Sequence, residues 1–213
     1  MTIHHHPDPA TLMSYAAGTL DEPLSAVVAC HSAVCAQCRR EISWLETLGS
    51  ALIDALPAPK GAAAAVPPLP TSRPVVAGAT PPTAAGDVPA PLVHLVGTQL
   101  DAIAWKRLAP GIWHRPLPLS KGVAGDLRLI KVEPGLHLPE HGHAGQEMTL
   151  LLRGAYVDEV GRFATGDVAD LDEDIEHRPV ADAEAGCICL IASVKPARYK
   201  GWLPRLLQPF VGV

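Results

Sequence analysis

Apolar residues recur along the first 56 positions at intervals of three and four. Leu24, Val27, Val28 and His31, then Ile42, Leu45, Leu48, Leu52 and Leu56, trace helical faces. Asp8-Pro9 ahead of Leu12, Met13 and Tyr15 reads as an N-cap followed by proline in the first turn, with Gly18 closing the helix; Asp21-Glu22-Pro23 repeats the arrangement. The pattern carries helix to about Leu56 and leaves open whether it breaks between His31 and Cys38. Trp44 and Leu45 are adjacent and cannot both enter a three-helix core, so the surplus suggests a partner surface or satellite packing.

The periodicity then stops. Residues 57–91 hold ten prolines and ten alanines in 35 positions, a density that forbids a long helix or a central strand and reads as a semi-extended linker with room for one short helix. Beyond it come short apolar runs at 127–132, 147–152, 156–160, 167–171 and 187–194, separated by turn signals at Glu133-Pro-Gly135, Arg153-Gly154, Gly161, Gly166-Asp167 and Gly186. Many short strands with this punctuation predict an antiparallel barrel or jelly roll. The tail, 196–213, holds Trp202, Leu203, Leu206, Leu207 and Phe210 and is expected to pack on the barrel. The expected fold is therefore a small all-α unit (1–56), a linker (57–91), an all-β barrel (92–195) and a tail.

Charge narrows the function classes. The net charge is −5 overall, and residues 1–56 carry six acids against Arg39 and Arg40. Phosphates would repel such a unit, so direct nucleic-acid binding is not expected, whereas a basic protein partner suits it. No apolar run reaches the roughly 18 residues of a membrane span, and the first residues lack a secretory signal pattern. The expectation is a soluble, cytoplasmic protein with no membrane partner. Five cysteines, two of them in a CxxC, read as metal ligands and free thiols and not as a disulfide framework.

Two ligand clusters stand out. His31, Cys35 and Cys38 fall at i, i+4 and i+7, on one face if the segment is helical, and supply three of the four positions a tetrahedral Zn²⁺ needs. His6, nearest the Asp8 cap in the run His4-His5-His6, is the expected fourth ligand, with His4 and His5 as alternatives; the run also reads as a solvated stretch or tag remnant. The second cluster is His141-x-His143-x-x-x-Glu147 with the distant His177. Three imidazoles and a carboxylate suit Zn, Mn, Fe, Ni or Cu, and the residues alone do not choose among them. Cys187 and Cys189 share one side of a predicted strand and are expected to be buried core thiols, as is Cys30.

Gly135, His141, His143, Glu147 and Gly154 match the first cupin motif at every position, so this half resembles a cupin barrel. Gly166 and His177 stand where the second motif has them, while Asp172, Asp174 and Ala181 replace its proline, glycine and asparagine. His31, Cys35 and Cys38 form the HxxxCxxC of zinc-binding anti-sigma domains, and the chain as a whole resembles the ChrR-type anti-sigma factors. That resemblance implies zinc at two sites per chain and a 1:1 complex with an extracytoplasmic-function sigma factor. It further implies that singlet oxygen or photooxidative stress releases the partner, with no catalysis. The competing reading is a metal-dependent dioxygenase or isomerase built on His141, His143, Glu147 and His177.

Overall fold

The computed structural model of the chain describes residues 2–57, 86–142, 144–172 and 175–195, with the backbone of 198–199. Most of the Pro/Ala-rich segment, the tail beyond 199, His143 and Asp174 lie outside these residues.

Three helices open the chain: α1 (Pro9–Ala16), α2 (Glu22–Val34) and α3 (Ala36–Asp54). The Asp8 side chain accepts the Ala10 N–H at 2.8 Å, so the cap read from sequence is made. The helix does break inside the ligand motif. Cys35 is extended, with φ −101° and ψ 107°, and serves as C-cap of α2 and N-cap of α3. No glycine or proline marks this point. The chemistry accounts for it: an unbroken helix would set His31 and Cys38 roughly 10 Å apart along its axis, too far for both to reach one ion.

After the Pro/Ala-rich segment, a 3-10 turn (Ala90–Leu92) runs into the four-residue α4 (Val93–Val96). The described residues resume at 86, inside the expected linker. The strands follow: β1 (Lys106–Ala109), β2 (Ile112–Pro116), β3 (Asp126–Val132), β4 (His141–Gly142), β5 (Glu147–Val157), β6 (Arg162–Ala164), β7 (Val168–Leu171), β8 (Glu176–His177), β9 (Val180–Ala181), β10 (Cys187–Ser193) and β11 (Arg198–Tyr199). All pairings are antiparallel. The main sheet runs β1-β2-β3-β10-β5-β6, with β7 and β9 also on β5, and β11-β4-β8 form a second sheet.

Two details differ from the sequence expectation. Residues 147–157 form one strand and not two, because Gly154 is not a turn. Its φ is +72°, and a Cβ there would stand 2.0 Å from the Gly186 carbonyl oxygen; glycine lets β10 approach where the pairing register shifts between Ile188 and Cys189. The real reversal is the turn at residues 158–161, where Asp158 accepts N–H groups from Val160 and Gly161. The strands also begin ahead of the first apolar run at 127–132, with β1 and β2, and Trp113 of β2 lies beneath the Lys131 ammonium.

Why the strand segments read as nearly continuous apolar runs becomes clear from what covers them. On β10, Cys187 and Cys189 face the barrel interior with Ile130, Val132, Leu151 and Phe163. Ile188, Leu190 and Ala192, on the opposite face, pack in one cluster with Leu24, Val27 and Val28 of α2. Both faces are buried, so both carry apolar side chains. The helices therefore sit directly on the barrel, and polar ties fix them there: Ser120 N–H to Glu22 at 2.8 Å, Gln146 to the Thr11 hydroxyl at 3.0 Å and Asp8 N–H to Asp170 at 3.0 Å.

Candidate metal centres

Among the described residues, two groups bring three or more ligand-type side chains within 4.8 Å of one another: His6, His31, Cys35 and Cys38, and His141, Glu147 and His177.

In the first, the break at Cys35 turns three side chains inward. His31 comes from the last turn of α2, Cys35 from the junction and Cys38 from the first turn of α3. His6 reaches across from the segment ahead of α1. His6 Nδ1 lies 3.3 Å from Cys38 Sγ and 3.5 Å from Cys35 Sγ, and His31 Nε2 is 3.3 Å from Cys38 Sγ. A tetrahedron with bonds of about 2.0 Å to nitrogen and 2.3 Å to sulfur has edges of roughly 3.5 Å, so the donors are spaced to fit Zn²⁺. His31 is fully buried and its Nδ1–H donates to the Gly166 carbonyl at 3.0 Å. A carbonyl can only accept, which leaves Nε2 as the free donor atom toward the thiols.

The electrostatics describe a pocket that is neutral without a cation. Burial, then the neighbouring Cys35, push the Cys38 thiol up to about 12. Burial lowers His31 to about 4 from 6.5, with the Gly166 hydrogen bond opposing it. Without a cation this pocket keeps thiol and imidazole neutral; a divalent ion would favour the thiolates outright. The metal-free protein has a further consequence. The unfolded chain takes up a proton at His31 near pH 6.5 while the native state refuses it until about pH 4. Chelator-treated protein is therefore expected to lose stability progressively across that window as pH falls, measured by urea unfolding at several pH values.

The second group sits at one end of the barrel. His141 of β4 and His177 of β8 are direct cross-strand partners, their Nε2 atoms 3.2 Å apart. Each ring is held by its other nitrogen: His141 Nδ1–H donates to Pro139 O at 2.8 Å, and His177 Nδ1–H to Asp158 at 2.8 Å. A cation placed between these two nitrogens would be within reach of both. Cis ligand nitrogens on bonds of about 2.1 Å are spaced roughly 3.0–3.4 Å. Glu147, the buried first residue of β5, completes the described trio. Burial works against the Asp158 carboxylate, but the His177 hydrogen bond and the N–H groups of Gly161 and Val160 prevail and hold its pKa below the ordinary range. Asp158 therefore stays charged and sets the His177 tautomer.

A cavity of about 50 Å³ adjoins this trio, lined also by Tyr156, Thr149, Cys187 and Cys189. The Tyr156 hydroxyl is buried and makes no hydrogen bond among the described residues, so it could bond a small molecule that entered the cavity. Both cysteines are buried, as expected, yet they face this cavity and not merely packing.

The residues expected from the sequence include every member of both groups, but not Asp158 or the Gly166 carbonyl. Asp158 begins a turn, where aspartate is common for backbone reasons alone, and a carbonyl carries no residue signature.

Known proteins bear on both halves. The family described as the ChrR Cupin-like domain matches residues 94–196. The anti-sigma-E factor ChrR of Cereibacter sphaeroides is 40% identical over 217 residues, covering 99% of each chain. Among solved structures, the crystal structure of Rhodobacter sphaeroides SigE in complex with the anti-sigma ChrR is similar at 36% identity and a TM-score of 0.72, covering 90% of this chain and all of that one. With identity at this level running from end to end, the chain belongs to the ChrR family of anti-sigma factors.

Proposed function

We propose that this chain binds an extracytoplasmic-function sigma factor 1:1 through its helical unit, holds it inactive in the cytoplasm, and releases it after singlet-oxygen or photooxidative signals act at the barrel. The observation that carries the reading is α3. From Trp44 to the residues just past its end, little among the described residues packs on it: Trp44 is 63% exposed, Leu52 62%, Ile53 70% and Leu56 67%. An apolar helix face of this kind on a net-acidic unit suits a basic, DNA-binding partner. Similarity to an anti-sigma factor and to its complex with SigE supports the same assignment.

Zinc is the ion proposed for the helical centre, held by His6, His31, Cys35 and Cys38, because two thiolates with two imidazoles are its preferred structural set. There it would brace a unit too small to be stable on its own core. At the barrel, His141, His143, Glu147 and His177 are proposed to hold a second zinc ion. The domain limits follow: helical unit 1–56, linker 57–91, barrel 92–195, tail 196–213. No catalytic role is assigned to any residue. Among the described residues no helix is long and apolar enough to cross a membrane.

Trp44 gives the direct test. Trp44→Ala is expected to weaken sigma binding roughly 30-fold or more, the effect of losing an aromatic anchor worth about 2 kcal/mol. The stability of the free chain should stay within about 0.5 kcal/mol, because the side chain is exposed. Binding unchanged in Trp44→Ala and in Leu52→Asp would remove α3 from the interface.

A further inference from the structure

The helical metal centre draws part of its support from the barrel. The turn between β6 and β7 holds one candidate ligand, His31, and the segment that carries another, His6. The Gly166 carbonyl accepts His31 Nδ1–H at 3.0 Å, fixing that ring. One residue on, Asp167 is 2% exposed and reaches the segment that carries His6: its Oδ1 accepts the His4 N–H at 2.7 Å and the His5 N–H at 3.1 Å. Its Oδ2 accepts the Ala164 N–H at 2.9 Å, which ties the carboxylate to its own turn. Val168 N–H then donates back to the His5 carbonyl at 3.1 Å, so the segment before His6 lies along the start of β7. The His5 ring also rests on Phe163, centroids 4.4 Å apart.

We infer that Asp167 is a positioning residue for the helical metal centre: with the Gly166 carbonyl it forms a bracket, supplied by the barrel, that sets His6 and His31 at the spacing the ion requires. Neither residue is a ligand. Without the bracket, His6 belongs to a free N-terminal segment whose ordering would have to be supplied on metal binding. The same turn is reached from the barrel centre in few steps. Asp158, which holds His177, begins the reversal into β6, and Tyr156, which lines the barrel cavity, packs on Phe163 with centroids 5.1 Å apart. A rearrangement of the barrel at that end would thus be felt at the partner-binding unit's metal, through a contiguous set of contacts.

The inference rests on the reading of His6, His31, Cys35 and Cys38 as a metal centre, and Co²⁺ titration of the full chain separates the two. Thiolate-to-cobalt charge-transfer absorption reports the centre, and zinc competition gives its affinity. Asp167→Asn keeps the size but removes the charge and one acceptor; it is expected to weaken this centre 10- to 100-fold, the usual cost of losing a residue that orients a metal ligand. Sigma binding by Asp167→Asn should fall at limiting zinc and recover in excess zinc. Asp170→Asn, which touches the N-terminal segment only at Asp8, should leave the affinity within twofold. An Asp167→Asn affinity within twofold of the parent, or an equal loss in Asp170→Asn, overturns the bracket. If Asp167→Asn does not fold by circular dichroism, Asp167→Glu, which keeps the charge on a longer arm, takes its place with the same criteria. A parent chain without the thiolate band overturns the metal centre itself.

Discussion

Cys38→Ser is expected to abolish sigma binding, lowering affinity at least 100-fold, and to reduce the helical circular dichroism of the chain. Cys38 lies at the centre of the helical cluster, within 3.3 Å of both His6 Nδ1 and His31 Nε2. Serine replaces a thiolate with a hydroxyl that stays protonated and is a poor zinc ligand. Structural zinc contributes about 10–16 kcal/mol in small zinc-binding peptides, comparable with the roughly 5–15 kcal/mol that holds a whole domain folded. Losing that ion leaves the helical unit held by packing such as that of Leu24, Val27 and Val28 against the barrel. Chelation of the parent chain should reproduce the loss, and excess zinc should reverse it. A Cys38→Ser chain that still binds sigma would place inhibition outside the helical unit.

The second large effect is expected at the other centre, and in a different observable. His177→Ala should leave sigma binding within a few-fold of the parent, because His177 belongs to β8 of the barrel and not to the helical unit. Release on exposure to singlet oxygen should be lost. The substitution removes one candidate ligand, takes the hydrogen-bond donor from Asp158 Oδ2, and removes the ring that faces His141. Signal-induced dissociation, followed by the appearance of free sigma after a defined photosensitiser dose, distinguishes this from a mechanism at the thiols. If Cys35 and Cys38 were the sensors, oxidation would expel their zinc, and His177→Ala would release sigma as the parent does.

Much of this architecture could be read from residue pattern, for identifiable reasons. The helices announce themselves through Asp8-Pro9 and Asp21-Glu22-Pro23, local signals whose physics is local. The first ligand set is compact in sequence, and His6 was reachable because the Asp8 cap fixes where the chain enters α1. Tertiary demand wrote the rest. Cys35 breaks a helix with no glycine or proline, and the break brings four donor atoms together only in the folded site. Gly154 imitates a turn signal, yet it admits Gly186 of a strand that arrives later in the chain. The short strands β4, β8 and β9 have two residues each, too few for any periodicity to show. The docking of α2 on the barrel was also hidden: continuous apolar runs on β5 and β10 say that both faces are covered, not by what. Asp167, Asp158 and the Gly166 carbonyl act through backbone groups or tautomers of other residues, so no spacing identifies them.

Two centres thus divide the work in this account. The helical one braces the surface that holds sigma, and the barrel one receives the signal. The most direct measurement is co-expression with extracytoplasmic-function sigma factors, followed by co-purification and metal analysis of the complex. The account predicts a 1:1 complex carrying two metal ions per chain, with zinc at the helical centre. A chain that captures no sigma factor, or a complex that forms with the helical centre emptied of metal, would contradict it.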